Sequence, residues 1–373
     1  VHIVHLTNAY APASGGVRTV VHALGAGYRE RGHRFTLAVP AERAGVDDEP
    51  WGTRLRIAGP RVPGTDGYRL LVDRRAVLRA LDDLAPDRVE VSDRFTLRAV
   101  GGWARTRGVQ AVMLAHERLD GLVESLAAVP GPVARALTDR HNRRWAAAFD
   151  AVVVTSPVAA LEFDRIAVPT VRVPLGVDLE LFTPARRTRP LDPDDVVLVL
   201  CSRLSPEKEP AVAVETLRLL RAEGVPARLV VLGDGPEAAS LARRARGLPV
   251  TFTGFVPDRT AVADLLADAD VVLAPGPLET FGLAALEAMA CGTPVVAARG
   301  SAVEALTAQA GGPPGAVDAA GFAEAVRALV SGAGAASGAR AAARAVAEQL
   351  GWAATVDRML ALHGVPTTVR AGA

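Results

Sequence analysis

The sequence predicts two α/β domains in tandem, each a mostly parallel sheet wound on both faces by helices. Three observations predict it. The chain has 373 residues, long for one hydrophobic core and suited to two domains of ordinary size. Half of its residues are hydrophobic, enough for each half to bury an interior. Short apolar runs alternate with longer amphipathic stretches throughout, which is the pattern of βα units.

In the first half the apolar runs place strands at Val1–Leu6, Phe35–Val39, Arg54–Ala58, Arg88–Val91, Ala111–Ala115 and Ala151–Thr155. Helical spacing fills the intervals, as at Val17–Arg31, Asp73–Leu84 and Thr96–Arg107. The same rhythm returns with strands at Val196–Cys201, Ala227–Leu232, Val250–Thr253, Asp270–Ala274 and Pro294–Ala297. Between the halves, Pro174, Gly176, Pro184 and the Arg186-Arg187 pair interrupt the pattern, so the domains are expected at 1–174 and 191–350 with a linker at 175–190. The Ala/Gly-rich Ser331–Ala347 reads as a plain surface helix. Trp352–Leu362 has apolar residues at helical spacing, and a helix at about 352–365 is expected to pack back on the first half.

Composition excludes several function classes. With 42 basic and 41 acidic residues, the chain has no global field to attract nucleic acid. Cys201 and Cys291 form no CxxC pair and have no histidine cluster nearby. Neither a zinc site nor a disulfide framework is expected, and a reducing, cytoplasmic setting is. With a strand read from Val1, no signal peptide is expected. No apolar run approaches the roughly 20 residues of a membrane helix, so a lipid substrate would be met from the membrane surface, at the inner face of the plasma membrane.

Ligands of open parallel sheets sit outside the carboxyl ends of the strands, and two such sheets facing each other would form a cleft. The informative segments do follow strands. The first runs from Pro275 to Pro294, with a helix expected from about Phe281. Free N–H groups at a helix start suit a phosphate or a sugar hydroxyl. Glu279 precedes that helix and Glu287 lies within it; two acceptor-only carboxylates can hold two hydroxyl-bearing parts of one ligand. Glu287 stands among Leu286, Ala288 and Met289, where a carboxylate is costly unless a partner satisfies it.

The second segment, Cys201 to Lys208, carries Arg203 and Lys208 in a strand-to-helix turn. A guanidinium fork and an ammonium at that spacing can grip a diphosphate without a metal. Third, Gly233-Asp234-Gly235-Pro236-Glu237-Ala238 mimics the GxGxxA of dinucleotide folds. The next strand runs into Gly254-Phe255-Val256-Pro257 and lacks the acidic residue that a nicotinamide site wants. Fourth, Ser14-Gly15-Gly16-Val17 opens the first helix, where paired glycines allow close approach of a ligand or simply a left-handed turn. Last, His116 follows a strand end, in a ligand or a structural role. Pro132–Phe149 carries Arg135, Arg140, His141, Arg143, Arg144 and Trp145. It reads as a membrane-docking surface or as a solvated helix with Trp145 in the core.

Glu279 and Glu287, with seven residues between them, together with Arg203, Lys208, Gly233-Asp234-Gly235-Pro236 and Gly15-Gly16, resemble glycosyltransferase family 4. The resemblance spans nearly the whole chain. It implies the GT-B fold, two Rossmann-like domains facing each other across a cleft, and retaining, metal-independent transfer with no cofactor beyond the nucleotide-sugar donor. Ser14–Thr19, Val91–Arg94, His116–Asp120 and Pro275-Gly276-Pro277 are similar to actinobacterial phosphatidylinositol mannosyltransferases, which implies GDP-mannose as donor and a glycolipid acceptor. The resemblance further implies that Arg203 and Lys208 hold the donor diphosphate, Glu279 the sugar hydroxyls and Glu287 the ribose. Phe281, Gly282 and Leu283 would offer backbone groups, Gly233 and Gly235 would let the chain approach the nucleotide, Gly16 beside Gly15 would meet the diphosphate, and His116 would flank the sugar.

The alternatives are a family 4 enzyme using a UDP-sugar and a small soluble acceptor, and a nucleotide-sugar-binding protein without turnover. An intact set of Arg203, Lys208, Glu279 and Glu287 speaks against the second.

Overall fold

The protein is described by a computed structural model covering residues 1–11, 15–63, 67–127, 130–192, 194–331 and 333–366. The chain runs β1 (His2–Leu6), α1 (Gly16–Glu30), β2 (Arg34–Ala41), β3 (Gly45–Glu49), β4 (Gly52–Ala58), α2 (Arg74–Leu84), β5 (Arg88–Val91), α3 (Ala99–Arg107), β6 (Gln110–Ala115), α4 (Leu119–Ala127), α5 (Gly131–Ala146), β7 (Ala151–Val154), α6 (Pro157–Asp164) and β8 (Val171–Arg172). It continues with β9 (Val196–Cys201), α7 (Pro210–Ala222), β10 (Ala227–Leu232), α8 (Ala238–Arg244), β11 (Val250–Gly254), α9 (Arg259–Asp268) and β12 (Val271–Ala274). The last elements are α10 (Leu283–Ala290), β13 (Val295–Ala297), α11 (Ala302–Gln309), α12 (Ala319–Val330), α13 (Ala333–Ala347) and α14 (Trp352–Leu362).

Two compact units result. The first takes Val1–Asp120, Pro130–Leu175 and the described residues from Trp352 onward; the second takes Gly176–Gly351 and the described residues after Asp120 in α4. In the first unit eight strands are ordered β3-β4-β2-β1-β5-β6-β7-β8. All neighbours are parallel except β3 and β4. Strand alternation splits its core in two. Val4 and Leu6 join α2, α3 and α6 through Val77, Leu81, Trp103 and Phe163. Ile3 faces the other way, onto Val21, Leu24 and Tyr28 of α1 and Val356, Met359 and Leu360 of α14. A Cβ on Gly27 would lie 2.5 Å from Val356, so a glycine is what lets α14 seat on α1. The Arg31–Asp357 pair at 2.8 Å closes the contact.

β3 is an element the hydrophobic pattern does not announce, because Asp47, Asp48 and Glu49 read as a loop. It stands at the sheet edge because Arg54 and Arg56 of β4 neutralise it, at 3.0 and 2.8 Å from Asp47. Charged edges also discourage pairing with other chains.

The second unit has an all-parallel sheet, β11-β10-β9-β12-β13. Val196, Leu198 and Leu200 of β9 pack on Leu217 and Leu220 of α7 and Phe322 of α12. One expectation changes here, and residues 176–190, within the expected linker, are held on this unit. Arg186 pairs with Asp264 at 2.7 Å, Arg187 with Asp270 at 2.7 Å, and Asp268 accepts from Thr188 and Arg189. The Ala-rich α13 is more than a surface helix. Ala343, Val346 and Ala347 are buried, and Arg340 and Arg344 donate to backbone carbonyls of Ala269 and Ala290.

Candidate active site

In the second unit, candidate residues gather at the carboxyl ends of β9, β10 and β12. Arg203 is exposed two residues after β9, and Lys208 ends the short 3-10 turn Pro206–Lys208. Lys208 Nζ donates to Glu279 Oε2 at 2.6 Å, with each side chain about a quarter exposed. A half-buried ammonium and carboxylate in contact present both charges to the same solvent space. Gly276 permits this approach, since a Cβ there would sit 3.2 Å from the Lys208 Cα.

The glycines of the GxGxxA turn have an internal reason. Gly233 has φ of +134° and a Cβ there would lie 1.9 Å from the Ser202 carbonyl; one on Gly235 would lie 2.4 Å from that of Leu204. Leu204 N–H donates to Asp234 O at 3.0 Å and Glu237 N–H to Leu204 O at 2.9 Å. What these glycines approach within the chain is therefore the 202–204 loop, and the turn fixes the backbone on which Arg203 stands.

Gly282 precedes α10 in a left-handed conformation, φ +84°. The helix begins at Leu283, two residues beyond the expected Phe281, with neither a side-chain cap nor an acidic residue in its first turn. Its first N–H groups and dipole are thus directed to whatever lies beside Glu279. Phe281 is buried and anchors the loop. Glu287, one turn into α10, is also buried, and its partner is a protein side chain that sequence reasoning missed, Arg259 at the start of α9. The Arg259 guanidinium also lies over the Phe182 ring, 4.9 Å from its centroid. Burial raises the Glu287 pKa and Arg259 opposes the rise. Burial and the Glu287 charge together push the Cys201 thiol up to about 12, so it is an inert neighbour.

In the first unit, Gly15 and Gly16 stand at the start of α1. Gly15 has φ of −78°, and a Cβ on either would meet nothing within 4 Å. Neither strain nor packing requires glycine at these two positions. Ser14 lies outside the described residues. His116 follows β6 and lines a pocket of about 190 Å³ with Asn8, Ser92, Asp93 and Arg94. Burial lowers its pKa; Glu117 works against this, while Arg94 and His5 add to it. The walls of this pocket rest on a buried ion pair, Arg94–Glu162 at 2.9 Å, which no local pattern signals. Trp145 is buried at 3% exposure, so this ring lies in the core, while Arg140, Arg143 and Arg144 of α5 are exposed.

Among the described residues no group of three or more His, Cys, Asp or Glu is placed to hold a metal, and no helix is long and apolar enough to cross a membrane.

Two mostly parallel sheets carry charged and glycine-rich turns at their carboxyl ends, and comparison with known proteins assigns the class to glycosyltransferases. Residues 14–181 match the family described as Glycosyltransferase Family 4 and residues 195–332 that described as Glycosyl transferases group 1. The chain belongs to glycosyltransferase family 4. It is 49% identical over 317 residues to the GDP-mannose-dependent alpha-(1-6)-phosphatidylinositol dimannoside mannosyltransferase of Mycobacterium tuberculosis, covering 83% of this chain and 82% of that one. It is 33% identical to the D-inositol 3-phosphate glycosyltransferase of Actinosynnema mirum, covering 71% and 70%. Among solved structures, the sucrose-phosphate synthase of Thermosynechococcus elongatus superposes with a TM-score of 0.77 at 22% identity, covering 98% of both chains. Anabaena HepE in complex with UDP and glucose superposes at 0.73 with 17% identity, covering 97% of this chain and 99% of that one. These likenesses establish the GT-B fold.

Proposed function

We propose that this protein transfers mannose from GDP-mannose to a phosphatidylinositol mannoside, with retention of configuration and without a metal. The observation that carries the reading is the Lys208–Glu279 pair beside the uncapped start of α10, with Glu287 one turn further on. It offers a cation for a diphosphate and carboxylates for hydroxyls within one loop cluster. The name of the mycobacterial relative supplies the donor and the acceptor class.

In this reading Arg203 and Lys208 neutralise the departing diphosphate. Glu279 accepts from the sugar hydroxyls, and Glu287 from the ribose while it shares its charge with Arg259. Phe281, Gly282 and Leu283 contribute backbone groups; Gly16, beside Gly15, gives the diphosphate an approach free of side chains; His116 accompanies the sugar. The C1–O bond to phosphate breaks as the bond from C1 to the acceptor oxygen forms on the same face. The acceptor's proton passes to the leaving phosphate oxygen, so positioning and charge stabilisation do most of the catalysis.

A lipid acceptor calls for a docking surface. On α5, Val133 and Leu137 are exposed by 49% and 55%, beside exposed Arg140, Arg143 and Arg144. In this reading that face, with exposed Phe95, rests peripherally on an anionic membrane and Trp145 takes no part.

The test is incubation of the purified protein with GDP-mannose or a UDP-hexose and phosphatidylinositol dimannoside, with and without EDTA. An α-linked mannosylated lipid formed from GDP-mannose alone, at an EDTA-independent rate, is the expected outcome. Turnover of the UDP-sugar instead, or a β-linked product, would overturn it. Loss of co-sedimentation with anionic vesicles on charge reversal at Arg140, Arg143 and Arg144 is expected; unchanged binding removes the docking surface.

A further inference from the structure

We propose that Ser92 binds a hydroxyl of the sugar acceptor, its own hydroxyl held in one polarity by a buried relay through His5 and Glu90. The proposal rests on the mannosyl-transfer reading and adds an acceptor-contacting residue to it.

The relay begins with two polar residues in apolar strands. His5 of β1 and Glu90 of β5 are register partners, and both are fully buried. Glu90 Oε2 lies 2.7 Å from His5 Nδ1, and Oε1 lies 2.6 Å from the Tyr28 hydroxyl and 2.9 Å from His363 Nε2. Burial by itself raises the Glu90 pKa, but the hydrogen bonds from His363 and His5 outweigh it and hold the carboxyl below its usual range. An ionised carboxylate only accepts, so His5 donates from Nδ1, which leaves its other ring nitrogen, Nε2, to meet Ser92. Ser92 Oγ is 2.8 Å from that nitrogen. In this proposal the Ser92 hydroxyl donates to His5 Nε2 and keeps its oxygen lone pairs for a ligand.

Ser92 lies at the edge of the pocket that also holds His116. Most of the pocket comes from residues at the carboxyl ends of β1, β5 and β6, and strand order reverses at β1, since β2 flanks it on one side and β5 on the other. Such switch points are where open α/β sheets bind ligands. Much of the polar wall already serves the protein. Asn8 bonds Thr96 and the Leu71 N–H, Asp93 accepts from the N–H groups of Phe95, Thr96 and Leu97, and Arg94 is paired with Glu162 and Asn142. With the Arg94 charge paired to Glu162, Asp93 and Glu117 in the lining disfavour phosphate and favour a neutral hydroxyl ligand. A hydroxyl of a mannosyl or inositol ring meets that requirement. Ser92 is thus a binding residue, and His5 and Glu90 are positioning residues that act through it.

The test is steady-state kinetics of Ser92→Ala, Ser92→Thr and His5→Gln with GDP-mannose and phosphatidylinositol dimannoside. In parallel, saturation-transfer NMR follows methyl α-mannopyranoside on the protein without donor. S92A and H5Q are expected to raise the acceptor KM about tenfold, the size of one lost hydrogen bond, with the donor KM unchanged. S92T, which keeps the hydroxyl, restores the value. The methyl mannoside signal is expected to weaken in S92A and return in S92T. An unchanged acceptor KM in S92A, or donor and acceptor KM rising together, overturns the proposal. Should H5Q fail to fold, the contrast between S92A and S92T still decides. Should the native protein transfer no mannose, the functional reading fails, and the NMR arm tests the pocket by itself.

Discussion

Removing Arg259 is the sharpest test of how the buried Glu287 carboxylate is held. The Glu287 side chain is 4% exposed and Arg259 is 40% exposed. Deleting one partner of a fully buried ion pair costs about 3–5 kcal/mol; the solvent exposure of Arg259 screens the interaction and brings the expectation for Arg259→Ala to about 2 kcal/mol. For a domain of this size that is a fall in Tm of roughly 4–8 °C. The pH dependence has a definite sign. A carboxyl titrates near roughly 4.3 when unperturbed, and burial raises Glu287 above this while Arg259 opposes the rise. A raised carboxyl costs stability above its unfolded pKa, and that cost is relieved as pH falls through the folded value. Loss of Arg259 raises Glu287 further, so the deficit of the variant is full at neutral pH and shrinks as the carboxyl protonates. The assay is thermal and urea unfolding of the native protein, R259A, Glu287→Gln and the double variant, at neutral and acidic pH. Because the amide introduced by E287Q carries no charge, R259A in that background should cost under ~0.5 kcal/mol beyond lost packing on Phe182. Equal costs of R259A in the native and E287Q backgrounds, or a deficit that does not shrink in acid, would refute the reasoning.

Further outcomes follow from the same geometry. Gly233→Ala places a Cβ 1.9 Å from the Ser202 carbonyl at φ +134° and should cost about 3 kcal/mol or more, or abolish soluble expression. Gly16→Ala meets nothing within 4 Å, so its Tm should hold while its donor KM rises; calorimetry and kinetics separate the two. Lys208→Met should lower kcat by about 10²–10³ through lost charge stabilisation, and Glu279→Gln should act mainly on sugar discrimination; a near-native kcat in K208M would remove Lys208 from the mechanism. His116, whose pKa is lowered chiefly by burial, should be neutral at pH 7 and titrate below its ordinary value in a ring-proton NMR experiment.

The strands were legible because each apolar run is a local property, set by consecutive side chains against a pleat or a helix face. Even so β3 escaped notice, since Asp47 and Glu49 become strand residues only through arginines on the strand beside them. The loops holding Arg203, Lys208, Glu279 and Glu287 were legible as positions after strands, where parallel sheets leave their carboxyl ends open. Which of these residues touch was not. Lys208 and Glu279 are 71 positions apart, Arg259 and Glu287 are 28 apart, and His363 reaches Glu90 across 273. The sequence by itself determined the periodicity, the placing of turns and the types of charge available. Only the tertiary structure decided the pairing of those charges and why Gly233 must be glycine, because contacts between distant chain segments depend on how sheets and helices pack, which no local window of residues encodes.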